Sequence, residues 1–163
     1  MIRYPLEYNQ ILNSNRWNTF GWTRKYNDGR PRFHKGWDLQ QPMGTPVYPV
    51  STGKVFSVQR QDVGDYGKTI NLRFEYDGTV YYAFYAHLSD VWVSGGDIIE
   101  TTNMQIGAVG DTGNAKGIAK SAVHLHFEFR SDAYGGSGTS DRIDPAALLG
   151  EPPYDGIFYI EDE

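Results

Sequence analysis

Three features of the sequence predict a mostly antiparallel β fold. Nineteen glycines and eight prolines are spread along the 163 residues instead of clustering, so they cut the chain into short segments. Two long strand-like runs, 68–76 and 79–88, are separated only by Asp77-Gly78, a dipeptide suited to the left-handed corner of a tight hairpin. The best helical segment, residues 144–150, is short. The expected architecture is an antiparallel sandwich or open barrel with short peripheral helices.

The elements follow in order. Residues 1–32 read as irregular, with one helical turn around 6–12. Residues 45–50 are extended, and Pro46 and Pro49 suit an edge position because proline cannot donate to a ladder. Residues 53–58 alternate partly, and 68–76 alternate cleanly. Residues 106–109 and 123–130 are further strands. Asp144 is positioned to cap a helix with Pro145 at its first turn and Gly150 at its end. Residues 156–160 are a final strand before the acidic Glu161-Asp162-Glu163. No repeat with a period of 20–50 residues is present, which argues against a solenoid.

Composition excludes several function classes. The formal charge of −5 and the lack of a basic stripe argue against nucleic-acid binding. Arg24-Lys25 and Arg30-Pro31-Arg32 read as solvated loop charge. With no cysteine, thiol catalysis, disulfides and cysteine-ligated zinc are ruled out. The longest apolar run, 80–88, is far shorter than the roughly 20 residues of a membrane span. At the N-terminus, Glu7, Asn9, Gln10 and Asn13 interrupt any apolar stretch a secretory signal would need.

The chain holds four histidines: His34, His87, His124 and His126. Read as a strand, 123–130 divides by period two. Val123, Leu125, Phe127 and Phe129 form an apolar face, and His124, His126, Glu128 and Arg130 form a polar one. Two imidazoles on one face lie close enough to serve one site. His34 and Asp38 stand four apart, but Gly36 between them disfavours a helix, so a loop or extended segment must bring them together. His87 ends the run 81–88 and shares a face with Tyr81, Ala83 and Tyr85 by the same alternation. Two histidines and one aspartate make a three-ligand set that leaves a position open for water, as catalytic zinc requires. Two histidines then remain for acid–base work. Spacing alone does not say which histidine is ligand and which is catalyst. The same set would also suit a non-haem iron centre, although that would leave two histidines without a role.

Three motifs occur in order: His34-Lys35-Gly36-Trp37-Asp38, Tyr85-Ala86-His87-Leu88-Ser89 and His124-Leu125-His126-Phe127-Glu128. They resemble the signatures of the lysostaphin-like (LytM-type) M23 zinc metallopeptidases. Gly44-Thr45-Pro46-Val47, Gly110-Asp111-Thr112-Gly113 and Asp144-Pro145 resemble the family's intervening turns and closing motif. The resemblance implies a LytM-type fold over 19–150, with extensions at 1–18 and 151–163. It implies that His34, Asp38 and His126 bind Zn2+ and that His87 and His124 assist catalysis. The implied activity is hydrolysis of peptide cross-links in peptidoglycan, in the periplasm or the extracellular wall. The competing expectation is a catalytically silent wall-binding or activating module. The expected partners are peptidoglycan stem peptides, with no nucleic acid and no membrane span, and the chain is expected to be a monomer. Since no export signal is seen, delivery by a dedicated secretion machine or a phage particle is expected. An effector of that kind would have a cognate immunity or inhibitor protein.

Overall fold

The computed structural model describes residues 2–136 and 138–159. Among them, every paired strand is antiparallel. The strands are β1 (Tyr8–Asn9), β2 (Gly21–Lys25), β3 (Pro31–His34), β4 (Trp37–Gln40), β5 (Pro46–Val47), β6 (Gly53–Gln59) and β7 (Lys68–Tyr76). They continue with β8 (Thr79–Val91), β9 (Ile98–Ile99), β10 (Gly107–Val109), β11 (His124–Arg130), β12 (Arg142–Ile143) and β13 (Ile157–Phe158). One α-helix, α1 (Ala146–Leu149), follows β12. The large sheet runs β12-β11-β8-β7-β6-β9, with β4 on the free edge of β11 and β10 joining β8 to β5.

The β7–β8 hairpin is the spine of this sheet. Asp77 (φ 51°) and Gly78 (φ 76°) are both left-handed, as a two-residue hairpin turn with the correct twist needs. Alternation then sends Ile70, Leu72, Phe74, Ala83 and Tyr85 into one core with Leu125, Phe127 and Phe129 of β11. Tyr85 is fully buried, and its hydroxyl accepts a hydrogen bond from the Val50 N–H at 3.0 Å. Burial also pushes the Tyr85 phenol upward from its ordinary pKa.

The N-terminal third differs from the sequence expectation. No helix spans 6–12. The Asn9 amide instead brackets Leu6, accepting from its N–H and donating to its carbonyl, and so competes with helical hydrogen bonding. Tyr8–Asn9 pairs with Ile157–Phe158, Ile11 bridges to Leu39, and short 3-10 turns follow at Leu12–Ser14 and Arg16–Asn18. Leu6 and Ile11 are fully buried. Residues 21–34 form a hairpin, β2–β3, whose corner contains Gly29 at φ 87°. Its turn signal, Asn27-Asp28-Gly29, is present in the sequence.

Elsewhere the expected elements are found. β5 pairs only β10 among the described residues, as its flanking prolines favour. The Asp144 carboxylate accepts from the Ala146 N–H at 2.9 Å, and Gly150 (φ 97°) ends α1. Of the predicted last strand, Ile157–Phe158 is formed, while Ile160 and the acidic end lie outside the described residues. No helix among the described residues is long and apolar enough to cross a membrane.

Removing the Tyr85 hydroxyl would leave the buried Val50 N–H unpaired. Tyr85→Phe is predicted to lower unfolding free energy by about 1–3 kcal/mol in urea titrations at neutral pH. The unfolded chain ionises this tyrosine near pH 10, whereas the folded chain keeps the proton, so wild-type stability falls as pH rises past about 10. The alkaline loss is predicted to be smaller in Tyr85→Phe.

Candidate metal centre

Strand pairing builds the centre. In the register between β4 and β11, His126 lies directly opposite Asp38, and Phe127 opposite Trp37. Trp37 and Phe127 enter the core, so Asp38 and His126 must emerge together on the other face. His34 ends β3, and the tight His34–Asp38 connection crosses close over β11. A Cβ at Gly36 would collide with the Phe127 carbonyl. Glycine at this position is what lets His34 reach back over Asp38.

His87 reaches the same face by a different device. Strict alternation puts it on the face of Tyr81, Ala83 and Tyr85, as the sequence reading had it. The structure corrects this. Ile70 pairs with Tyr85 but Lys68 pairs with Leu88, so Ala86 and His87 together oppose Thr69 in a β-bulge. His87 adopts φ 60°, a left-handed conformation strained for a non-glycine residue. The extra residue returns Leu88 to the core and turns His87 toward His124 and His126, with ring centroids 5.4 and 5.9 Å apart.

All four histidines and Asp38 are therefore gathered together and buried. His34, Asp38 and His126 can each aim one ligand atom so that the three lie within 4.8 Å of one another. His34 Nε2 is 3.3 Å from Asp38 Oδ2, and His126 Nδ1 is 2.9 Å from Asp38 Oδ1. His124 Nε2 is 3.7 Å from Asp38 Oδ1. Two imidazoles and a carboxylate in this arrangement are donors that suit a borderline divalent ion such as zinc.

The ring tautomers follow from the hydrogen bonds. His34 Nδ1 meets the Thr19 carbonyl at 2.9 Å, His87 Nδ1 the Thr112 carbonyl at 2.8 Å, and His124 Nδ1 the Ala122 carbonyl at 2.8 Å. A carbonyl only accepts, so each Nδ1 carries the proton and each Nε2 presents its lone pair to the centre. His126 is reversed: Nδ1 faces Asp38, and Nε2 lies 2.7 Å from Glu128 Oε2.

Electrostatics follow from the same contacts. Burial, reinforced by His126 and His124, pushes His87 down to about 4, so it is neutral at pH 7. Burial also lowers His34. For His126, burial opposes the charged ring, but hydrogen bonds to Asp38 and Glu128 outweigh it and push the ring up to about 9. Burial likewise opposes ionisation of Asp38 and Glu128. The facing His34 and His126 hold Asp38 well below the usual carboxylate range, while His126, Arg130 and Arg142 do the same for Glu128.

The structure adds residues that the sequence reading did not single out. Arg24 is not solvated loop charge. Its Nη2 donates to Asp38 Oδ2 at 2.8 Å and to Asn18 Oδ1 at 3.0 Å. Arg30, by contrast, forms an exposed pair with Asp28. The polar face of β11 is buried along its whole length, with Arg130 and Arg142 pairing Glu128 there. Tyr66 stacks on His126 at 5.6 Å and 28°, and burial beside the Glu128 charge pushes its phenol up to about 12. No local sequence pattern marks Arg24 or Tyr66, since both arrive from other strands and loops.

The centre opens into a cleft of about 960 Å³. Trp22, Tyr26 and Arg32 of the β2–β3 hairpin line one side, and Gly135, Gly136 and Thr139 of the 131–141 loop are also part of the lining. That loop is tethered to the sheet by Asn71 Nδ2 donating to the Ala133 carbonyl at 2.9 Å.

The family model of peptidase family M23 matches residues 32–145, which carry all three motifs and most of the chain. The chain belongs to peptidase family M23. Peptidases of this family are zinc-dependent, in keeping with the donor set above. The peptidoglycan DD-endopeptidase ShyB of Vibrio cholerae is 34% identical over 130 residues, covering 77% of this chain and 26% of ShyB. Lysostaphin of Staphylococcus simulans is 34% identical over 108 residues, covering 66% of this chain and 20% of lysostaphin. The chain thus spans about a fifth to a quarter of these relatives. Among solved structures, a zinc-containing peptidase from Vibrio cholerae superposes with a TM-score of 0.67 at 29% identity, covering 93% of this chain and 40% of that one. The lysostaphin catalytic domain from Staphylococcus simulans superposes with a TM-score of 0.59 at 30% identity, covering 82% and 90%. The LytM-type fold is therefore shown for this M23 chain.

A centre built on His34, Asp38 and His126 predicts one zinc per wild-type chain by elemental analysis after dialysis. Each of His34→Ala, Asp38→Ala and His126→Ala is predicted to fall well below stoichiometric zinc. His87→Ala and His124→Ala are predicted to retain it.

Proposed function

We propose that this M23 chain is a zinc-dependent endopeptidase that hydrolyses peptide cross-links of bacterial peptidoglycan. One observation carries the reading: three buried donors converge on one point, and two further imidazoles face the same point with free Nε2 lone pairs. A site that only held a metal would not need His87 and His124 fixed in that tautomer.

In this reading His34, Asp38 and His126 hold zinc. The chemistry a bound zinc ion supplies is Lewis acidity, which polarises the scissile carbonyl and brings the pKa of water to about 7. The remaining steps belong to the chain's own residues. His87 is neutral at pH 7, so its Nε2 can accept a hydrogen bond from the attacking water and take its proton. His124 Nε2 lies across the site, with its ring centroid 5.4 Å from that of His87. The proton that His87 takes from the water passes from its Nε2 to the leaving amine as the C–N bond breaks, and His124 Nε2, when protonated, donates to the developing oxyanion. The Thr112 and Ala122 carbonyls stabilise the Nδ1–H of each ring as positive charge develops. Trp22 and Tyr26 offer flat apolar faces with polar tips to an extended peptide lying in the cleft.

Similarity to ShyB and lysostaphin supports peptidoglycan as substrate. The proposal places the reaction in the periplasm or the extracellular wall, with the chain acting as a monomer. It includes delivery by a dedicated machine or phage particle, and a cognate inhibitor whose natural seat is the cleft. It treats 19–150 as the catalytic unit.

The test is mass spectrometry of fragments released from purified cross-linked peptidoglycan. Zinc-loaded wild type is predicted to convert cross-linked fragments to monomers. His87→Ala and His124→Ala are predicted to be slower by about 10²–10⁴-fold, the usual contribution of a positioned acid or base. A zinc-loaded wild type that releases nothing from either directly cross-linked or glycine-bridged walls would overturn the proposal.

A further inference from the structure

His126 differs from the other three histidines in how it is held. Backbone carbonyls fix the others through Nδ1, whereas a carboxylate fixes His126 through Nε2. That carboxylate, Glu128, lies two residues along β11, so the strand's period puts it on the face of His126. It is fully buried, and its two oxygens have separate partners. Oε2 faces His126 Nε2 at 2.7 Å. Oε1 accepts from Arg130 Nε at 2.9 Å and from Arg142 Nε at 2.7 Å. The arginines are fixed in turn. Arg142 Nη1 donates to Asp141 Oδ1 at 2.6 Å, and the Arg130 guanidinium lies 3.7 Å from the centre of the Phe84 ring.

We propose that Glu128, clamped by Arg142 and Arg130, is a positioning residue that holds His126 with Nδ1 toward Asp38 and His34, and thereby sets how tightly the chain retains its divalent ion. The inference rests on the zinc-centre reading above but concerns metal retention, not hydrolysis.

Three physical points carry it. First, an ionised carboxylate can only accept, so Glu128 keeps a proton on Nε2 and leaves Nδ1, which faces Asp38, as the nitrogen that gives up its proton when a metal binds. A carboxylate partner also raises the basicity of a ligating imidazole, and losing such partners typically costs 10–100-fold in metal affinity. Second, a buried carboxylate with two guanidinium partners gains little stability over apolar packing of the same volume. Stability alone therefore gives no reason for this network beside His126. Third, Arg142 comes from β12 and Arg130 from β11, so two strands fix the carboxylate against rotation. Tyr66 stacks on one face of the His126 ring, with centroids 5.6 Å apart. The ring is thus held at both nitrogens and on one face.

The test measures zinc affinity of the full chain by competition with a chromogenic chelator, with no substrate present. Glu128→Gln keeps the shape but removes the charge. It is expected to fold, by circular dichroism, and to bind zinc 10–100-fold more weakly than wild type. Nitrogen-15 NMR of the zinc-loaded wild type is expected to show His126 coordinated through Nδ1 and protonated at Nε2, a signature that a merely structural role would not require. A folded Glu128→Gln with wild-type zinc affinity, or His126 coordinated through Nε2, would overturn the proposal. Should Glu128→Gln fail to fold, Arg142→Lys replaces it, since it keeps the charge but loses the fixed Nε donor. Weaker zinc binding by that variant supports the clamp, and unchanged binding refutes it. Peptidoglycan hydrolysis does not enter either readout, so failure of the peptidase proposal and failure of this one are separable.

Discussion

The pairing of Asp38 with His126 across the β4–β11 ladder is the constraint on which the rest of the molecule depends. A one-residue slip of β4 against β11 would send Asp38 into the core, away from His126, and bring Trp37 out. Two large buried aromatics therefore hold the polar pair in place, and core packing is what enforces the geometry of the centre. The same ladder carries Leu39 opposite Leu125, and Leu39 is tied further to Ile11 of the N-terminal segment. Residues well away from the centre in sequence thus help to set its register.

Around this pair the chain buries charge, with Asp38, Glu128, Arg130 and Arg142 all withdrawn from solvent. Asp38 and Glu128 are buried, and each meets at least one imidazole and one guanidinium. Buried carboxylates without such partners would be strongly penalised. The partners come from β2, β3, β11 and β12, so the electrostatics of the site also act as cross-links between elements. His87 is the strained member. Its left-handed backbone costs of order 1–3 kcal/mol, which the surrounding sheet must offset, and a bulge beside a reactive centre is where such strain is commonly found.

Much of this was legible in the sequence. The Asp77-Gly78 hairpin, the alternation of 123–130 and the capped turn at Asp144 each follow from local chemistry, and each is formed. The resemblance carried by the three motifs implies one site for His34, Asp38, His87, His124 and His126, and the fold gathers these five side chains. Period-two reasoning failed at His87, because a bulge inserts one residue and no residue type announces it. It also does not say that the polar face of β11 is buried, since whether such a face meets water depends on what packs over it. Arg24 read as loop charge for the same reason: its role depends on a hairpin bringing it over Asp38, fourteen positions away. The N-terminal segment was misread because an Asn9 side chain, rather than helical hydrogen bonds, satisfies Leu6.

The central claim is that strand register, not local motif, assembles a metal centre from His34, Asp38 and His126. Anomalous diffraction at the zinc edge from crystals of the zinc-loaded protein tests it most directly. The account predicts one strong peak among those three side chains, with His87 and His124 nearby but uncoordinated. A peak ligated by His87 or His124 in place of Asp38, or no peak in this cleft, would contradict it.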